Sequence, residues 1–98
     1  MKSIPNSVLN LVARFQADLK PKKIILFGSR ARGDFRPNSD FDLCLVDALV
    51  DPTIRAKARI TSEEEPLTLH KIDLVFYDEV SEEFRRNIDR EGIAIYGE

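Results

Sequence analysis

Apolar positions along the chain fall first into a helical rhythm. Val8, Leu9, Val12, Phe15 and Leu19 recur three and four residues apart, which sets them on one face of a helix that Pro21 ends. The pattern then tightens. "KIILFGS" is a short run of β-branched and aromatic residues closed by Gly, and it predicts a largely buried strand from Lys23 to Phe27. "SDFDLCLV" alternates, with Phe41, Leu43 and Leu45 on one face and Asp40, Asp42, Cys44 and Val46 on the other, as a second strand does. Thr53 is placed to cap a helix running through "IRAKARITSEEE" toward Pro66. "KIDLVFY" alternates again, Ile72, Leu74 and Phe76 against Asp73, Val75 and Tyr77, and predicts a third strand. In the last helix Ser81 is the cap, Glu82 and Glu83 suit the positive N-terminal end, and Gly92 is expected to close it in the left-handed conformation. "IAIY" adds a short final strand. The order predicts an α/β domain of the two-layer α+β kind, with helices packed on a small mixed sheet.

Composition sets the limits of that picture. Ninety-eight residues make one domain, 1–98, large enough for one core and no more. No stretch approaches the roughly 18 apolar residues of a membrane span, so no membrane partner is expected. "MKSIPNSVLN" lacks the apolar block of a secretory signal, which predicts a cytoplasmic protein. With one Cys there is neither an internal disulfide nor a thiolate cluster, and any metal falls to oxygen ligands or His70. The net charge of −2 is scattered rather than gathered into a basic stripe, which argues against nucleic acid as partner.

The chemistry is concentrated in "GSRARGDFRPNSDFDL", Gly28 to Leu43. Asp40 and Asp42, two apart at the beginning of a strand, project from one face with their Cα atoms about 7 Å apart. Two such anions repel, raising one pKa unless a cation lies between them. Mg²⁺ answers this need, because it accepts a few hard oxygen ligands and shares its shell with water and substrate phosphates. Asp73 adds a third carboxylate from another strand. Three carboxylates on one patch suit a pair of metal ions serving an in-line displacement at phosphorus. Upstream, Gly28 lets a phosphate approach the backbone, and Ser29 offers its hydroxyl and amide at the start of a short helical turn. Arg30 and Arg32 supply positive charge, and Gly33 allows the chain to turn back toward Pro37-Asn38-Ser39. The two halves together describe a nucleoside triphosphate site.

Each feature alone has a plainer explanation. Gly-Ser after a strand is usually a turn, Asp-x-Asp at a strand start usually caps a loop, and Asp73 alone could block a sheet edge. Gly-Ser, ten residues, Asp-x-Asp and a distal Asp in a later apolar strand are together hard to assign to coincidence. Elsewhere the structural reading prevails. His70 has no second His to work with, Cys44 belongs with the core, and Tyr77 and Tyr96 are packing residues. Arg85, Arg86 and Arg90 read as the solvated face of the last helix, and Glu63 to Glu65 as a solvated helix end or loop.

Gly28, Ser29, Ala31-Arg32-Gly33, Ser39-Asp40-Phe41-Asp42-Leu43 and Asp73 in "KIDLVFY", with the closing "EGIAIY", resemble the minimal nucleotidyltransferases of the polymerase-β-like superfamily, over nearly the whole chain. The resemblance implies that core fold and transfer of a nucleoside monophosphate, AMP from ATP, with two Mg²⁺ ions and loss of pyrophosphate. It implies catalytic and metal-binding roles for Asp40, Asp42 and Asp73, with Gly28 and Ser29 on the distal phosphates. Relatives of this size look like antitoxins paired with a HEPN-domain toxin, which implies a hetero-oligomer and a protein tyrosine as acceptor. Two further readings stand beside this one: a non-catalytic nucleotide-binding module that neutralises its partner by covering it, and a small-molecule nucleotidyltransferase working as a homodimer.

Overall fold

The computed structural model describes residues 4–64 and 71–97. Among the described residues nine elements follow one another: α1 Asn6–Leu19, β1 Lys23–Phe27, α2 Ser29–Arg32, β2 Phe41–Val46, α3 Pro52–Glu64, β3 Ile72–Phe76, a 3₁₀ turn Tyr77–Glu79, α4 Glu82–Glu91 and β4 Ile93–Tyr96. The strands form one mixed sheet in the order β3-β2-β1-β4. Central β1 runs antiparallel to both β2 and β4, while β2 and β3 are parallel. The parallel pair needs a crossover, and α3 supplies it.

Alternation along the strands divides the core in two. Ile24, Leu26, Phe41, Leu43, Leu45, Ile72, Leu74 and Phe76 face the stripe of α1 and Ala58 of α3. The stripe differs from the expected one by an exchange of two positions. Leu11 is buried with Val8, Val12, Phe15 and Leu19, while Leu9 is 42% exposed. Leu11 lies three residues after Val8 and four before Phe15, so 3.6-residue periodicity carries it into the seam and turns Leu9 to its edge. The opposite face holds Ile25, Phe27 and Cys44, covered by Ile88 of α4. Helices therefore lie on both faces of the sheet.

Two helix ends differ from expectation. Asp51, not Thr53, caps α3: its carboxylate accepts the Thr53 amide at 2.7 Å, and Pro52 takes the first helical position, where its missing N–H costs nothing. Gly92 is extended (φ −76°, ψ 156°) rather than left-handed. Glycine is required there because a Cβ would collide with Ile25 and the Ile88 carbonyl, so the position answers a close approach of α4 to β1. Ser81 caps as expected, its Oγ accepting the Phe84 amide at 3.1 Å. Ser81→Ala is expected to lower stability by about 1 kcal/mol, read as a shift of the urea midpoint with unchanged slope.

Candidate active site

The carboxylates gather at the end of the sheet where β1 leaves and β2 and β3 begin. Register places Asp42 opposite Phe27 on one side and Asp73 on the other. The side chain of Asp42 comes within hydrogen-bonding reach of that of Asp73. Its pKa is pushed up to about 6, first by burial, then by the charges of Asp73 and Asp40, with Arg32 opposing. Asp42 is half-buried on the sheet face that carries Cys44, whereas Asp73 is exposed and open to a ligand.

Gly28 closes β1 at φ 75°, ψ −157°, backbone that only glycine adopts without strain. A Cβ here would run into the Asp42 carboxylate and lie 3.1 Å from its Cγ. The backbone at the end of β1 and the Asp42 carboxylate are thus in direct contact. α2 follows at once: Ala31 and Arg32 donate to the Gly28 carbonyl and Gly33 to that of Ser29. The amides of Ser29 and Arg30 precede the first intrahelical bonds and remain available to a ligand.

The two arginines have different surroundings. Arg32 is exposed, held by Asp34 at 3.3 Å and by Glu91 of α4 at 3.1 Å. Arg30, expected to supply charge to phosphates, is instead turned inward and is only 8% exposed. Its guanidinium donates to the carbonyls of Pro37 and Ser39 and lies over the rings of Phe35 and Phe41. The aromatics flanking "FRPNSDF" were the signal for this.

Other side chains settle into structural tasks. Burial, then the charges of Asp89 and Asp78, pushes the Cys44 thiol up to about 12, as suits a packed and unreactive sulfur. Arg85 is not part of a solvated face: its Nε donates to the Tyr77 carbonyl at 2.9 Å and its guanidinium lies over the Tyr77 ring. Tyr77 also donates to Asp89 at 2.8 Å, while Tyr96 is exposed rather than packed. His70 and Glu65 lie outside the described residues. A cavity of about 370 Å³ between α1 and α3 is lined by Arg14, Asp18, Lys57 and Thr61 among others. Those helices cover the other face of the sheet, so it is separate from the carboxylates.

Among the described residues no group of three or more His, Cys, Asp or Glu side chains is arranged so that it could hold a metal ion. The sheet instead brings Asp40, Asp42 and Asp73 into an open patch whose charges act on one another. The donor set nevertheless fits a hard divalent cation: all three groups are carboxylates, their charges crowd one another, and an incomplete protein shell leaves positions for water and phosphate oxygens.

Residues 10–98 match the family described as polymerase beta, nucleotidyltransferase. A candidate protein adenylyltransferase of Methanocaldococcus jannaschii is 31% identical over 108 aligned positions, which cover 97% of this chain and 96% of that protein. Among solved structures the chain is similar to one in a toxin–antitoxin crystal structure with AMP-PNP, with a TM-score of 0.68 and 25% identity over 96% of this chain and 75% of that one. It also shares its fold with a chain in the complex of tri-AMPylated Shewanella oneidensis HEPN toxin with MNT antitoxin, with a TM-score of 0.60 and 21% identity over 95% and 69% of the two chains.

Proposed function

The chain belongs to the polymerase β nucleotidyltransferase family, and on that premise we propose that it transfers AMP from ATP, with Mg²⁺, to a hydroxyl of a partner protein. The acceptor in this reading is a tyrosine of a HEPN-type toxin, and the transfer makes the chain an antitoxin. The nearness of fold to toxin–antitoxin chains and the adenylyltransferase relative support it. The observation that carries it is the contact of the Asp42 carboxylate with Gly28 and the register that sets Asp42 beside Asp73, which supports reading the Gly28 turn and the acidic patch as one site. A cytoplasmic location goes with this reading. Among the described residues no helix is long and apolar enough to cross a membrane.

Gly28 gives the distal phosphates room at the backbone, and the Ser29 hydroxyl and the amides of the first turn of α2 bind them. Asp40, Asp42 and Asp73 hold two Mg²⁺ ions, which supply positive charge to the phosphate oxygens. Asp73, the most accessible carboxylate, orients the acceptor hydroxyl and takes its proton. The hydroxyl oxygen bonds to the α-phosphorus as the bond to the bridging oxygen breaks, and pyrophosphate leaves. Arg32, exposed at the rim, adds charge toward the phosphates.

ATP labelled separately at the α- and γ-phosphates, incubated with the protein, Mg²⁺ and a lysate of the cells of origin, tests this. The α-label is expected on one small protein, bound through a phosphotyrosyl ester, and the γ-label on none. Failure of both labels to move, with neutralisation of the partner intact, would establish the covering module instead.

A further inference from the structure

We propose that Arg30 is a positioning residue of the nucleotidyl-transfer site, fixing the turn that delivers Asp40 to its metal-binding position. This rests on the reading above and assigns Arg30 a task other than phosphate binding. Its Nε and Nη2 donate to the Ser39 carbonyl at 3.3 and 3.0 Å, and Nη2 donates to the Pro37 carbonyl at 3.1 Å. Its guanidinium carbon lies 4.3 Å from the centre of the Phe35 ring and 4.2 Å from that of Phe41. The guanidinium is therefore held against two aromatic rings.

The atoms it grips are the ones that matter for Asp40. The Ser39 carbonyl belongs to the peptide that joins Ser39 to Asp40, so fixing this oxygen sets the direction in which Asp40 leaves the turn. On the far side, Phe41 donates to the Lys71 carbonyl at 2.9 Å, the bond that starts the β2–β3 pair. Asp40 is thus clamped from both neighbours, by α2 on one side and by the third strand on the other. The turn has its own closure as well, with Ser39 donating to the Arg36 carbonyl at 3.0 Å and Ser39 Oγ accepting the Arg36 amide at 2.8 Å. What it lacks internally is a tie to α2, and Arg30 provides that tie. Because α2 begins at Gly28, one side chain couples the phosphate cradle to the first carboxylate. Lysine cannot substitute, since a point charge neither forks to two carbonyls nor stacks on aromatic rings.

Three variants of the whole chain test this: Arg30→Lys, Arg30→Gln and Phe35→Leu, the last removing one ring and leaving the guanidinium. Hydrogen exchange is followed at the Ser39 and Phe41 amides, with those of α4 as reference. Mn²⁺ binding is read by paramagnetic resonance, and ATP binding in the presence of a chelator. Both Arg30 variants are expected to speed exchange at Ser39 and Phe41 and to weaken Mn²⁺ binding by about tenfold, with Phe35→Leu shifting both less. Exchange in α4 and metal-free ATP binding are expected to stay within about twofold. Loss of metal-free ATP binding in Arg30→Gln, restored in Arg30→Lys, would overturn the proposal and make Arg30 a phosphate ligand. Unchanged exchange and Mn²⁺ binding in both Arg30 variants would overturn it too. A parent protein that neither binds Mn²⁺ nor transfers label sinks the proposed function, while the exchange comparison still decides what Arg30 does to the turn.

Discussion

Asp42→Asn is expected to reduce AMP transfer by about 10³-fold or more while melting higher than the parent protein at pH 7 without divalent metal. The two effects have one origin. Asp42 is half-buried beside two other carboxylates, and its folded-state pKa of about 6 stands above the ordinary aspartate value of 3.8. Between those values the native state holds a proton that the unfolded chain has released, so stability falls as pH rises through the window. Above pH 6 the folded protein carries the whole cost, about 1–2 kcal/mol once solvent screening of a half-exposed carboxyl is allowed for. An amide is neutral throughout and escapes it. The advantage of the variant is therefore expected at pH 7 and absent at pH 4, where the parent carboxyl is protonated. Thermal melts at the two pH values check this, and a Mg²⁺ titration at pH 7 completes the test. The cation is expected to raise the melting temperature of the parent and to leave that of the variant in place, because binding to the folded state alone stabilises it. Equal melting at pH 7, or an equal response to Mg²⁺, would count against the placement of Asp42 in the metal shell.

Gly28→Ala is expected to be as damaging to transfer and, unlike the first change, to cost stability. Backbone near φ 75°, ψ −157° is strained for any residue with a Cβ, by about 1–3 kcal/mol. The added methyl also occupies the space of the Asp42 carboxylate. Either the backbone moves, taking the Ser29 amide with it, or Asp42 moves and leaves Asp73. A fall in transfer of at least about 100-fold is expected, since displacements of an ångström in a positioned site have that effect. A double-mutant cycle separates the two causes. In an Asp42→Ala background the backbone strain remains and the collision is gone, so Gly28→Ala is expected to cost about 1 kcal/mol less than in the parent. Equal costs in both backgrounds would show that the contact contributes nothing and that backbone strain acts alone.

The carboxylate patch was legible because it depends on parity. Side chains two apart in a strand share a face, so Asp40 and Asp42 and the alternation in "KIDLVFY" stated which surface each would reach. β1 was legible for a related reason: a strand covered on both faces is written as a continuous apolar run. What escaped depends on tertiary approach. Nothing local distinguishes a glycine that needs positive φ from one that makes room, and Gly92 was read as the first when it is the second. Asp51 and Thr53 are both good caps, and the choice between them was made by Pro52, which fits the first helical position and moves the helix start two residues earlier. Arg30 was assigned to phosphate because arginines near a Gly-Ser turn suit anions. Its actual course was set by two aromatic rings that come together only when the loop folds back. Arg85 went the same way, drawn from a polar helix face to the Tyr77 carbonyl by a turn that no periodicity announces.

The strand order β3-β2-β1-β4 also has a consequence in time. A chain leaves the ribosome from its N-terminus, and β1 has neighbours made at very different moments. β2 follows after one loop, and the two can pair early. β4 is made about seventy residues after β1 begins, a delay of roughly 4–14 s at common elongation rates. Throughout that interval one margin of Ile24–Phe27 stands without its partner, with apolar side chains on both faces, the form of strand that recruits foreign chains. The acidic patch, whose residues end at Asp73, is complete in the nascent chain before this margin is sealed. Its newborn risk is therefore misassembly along β1, and "IAIY" is the segment that ends it.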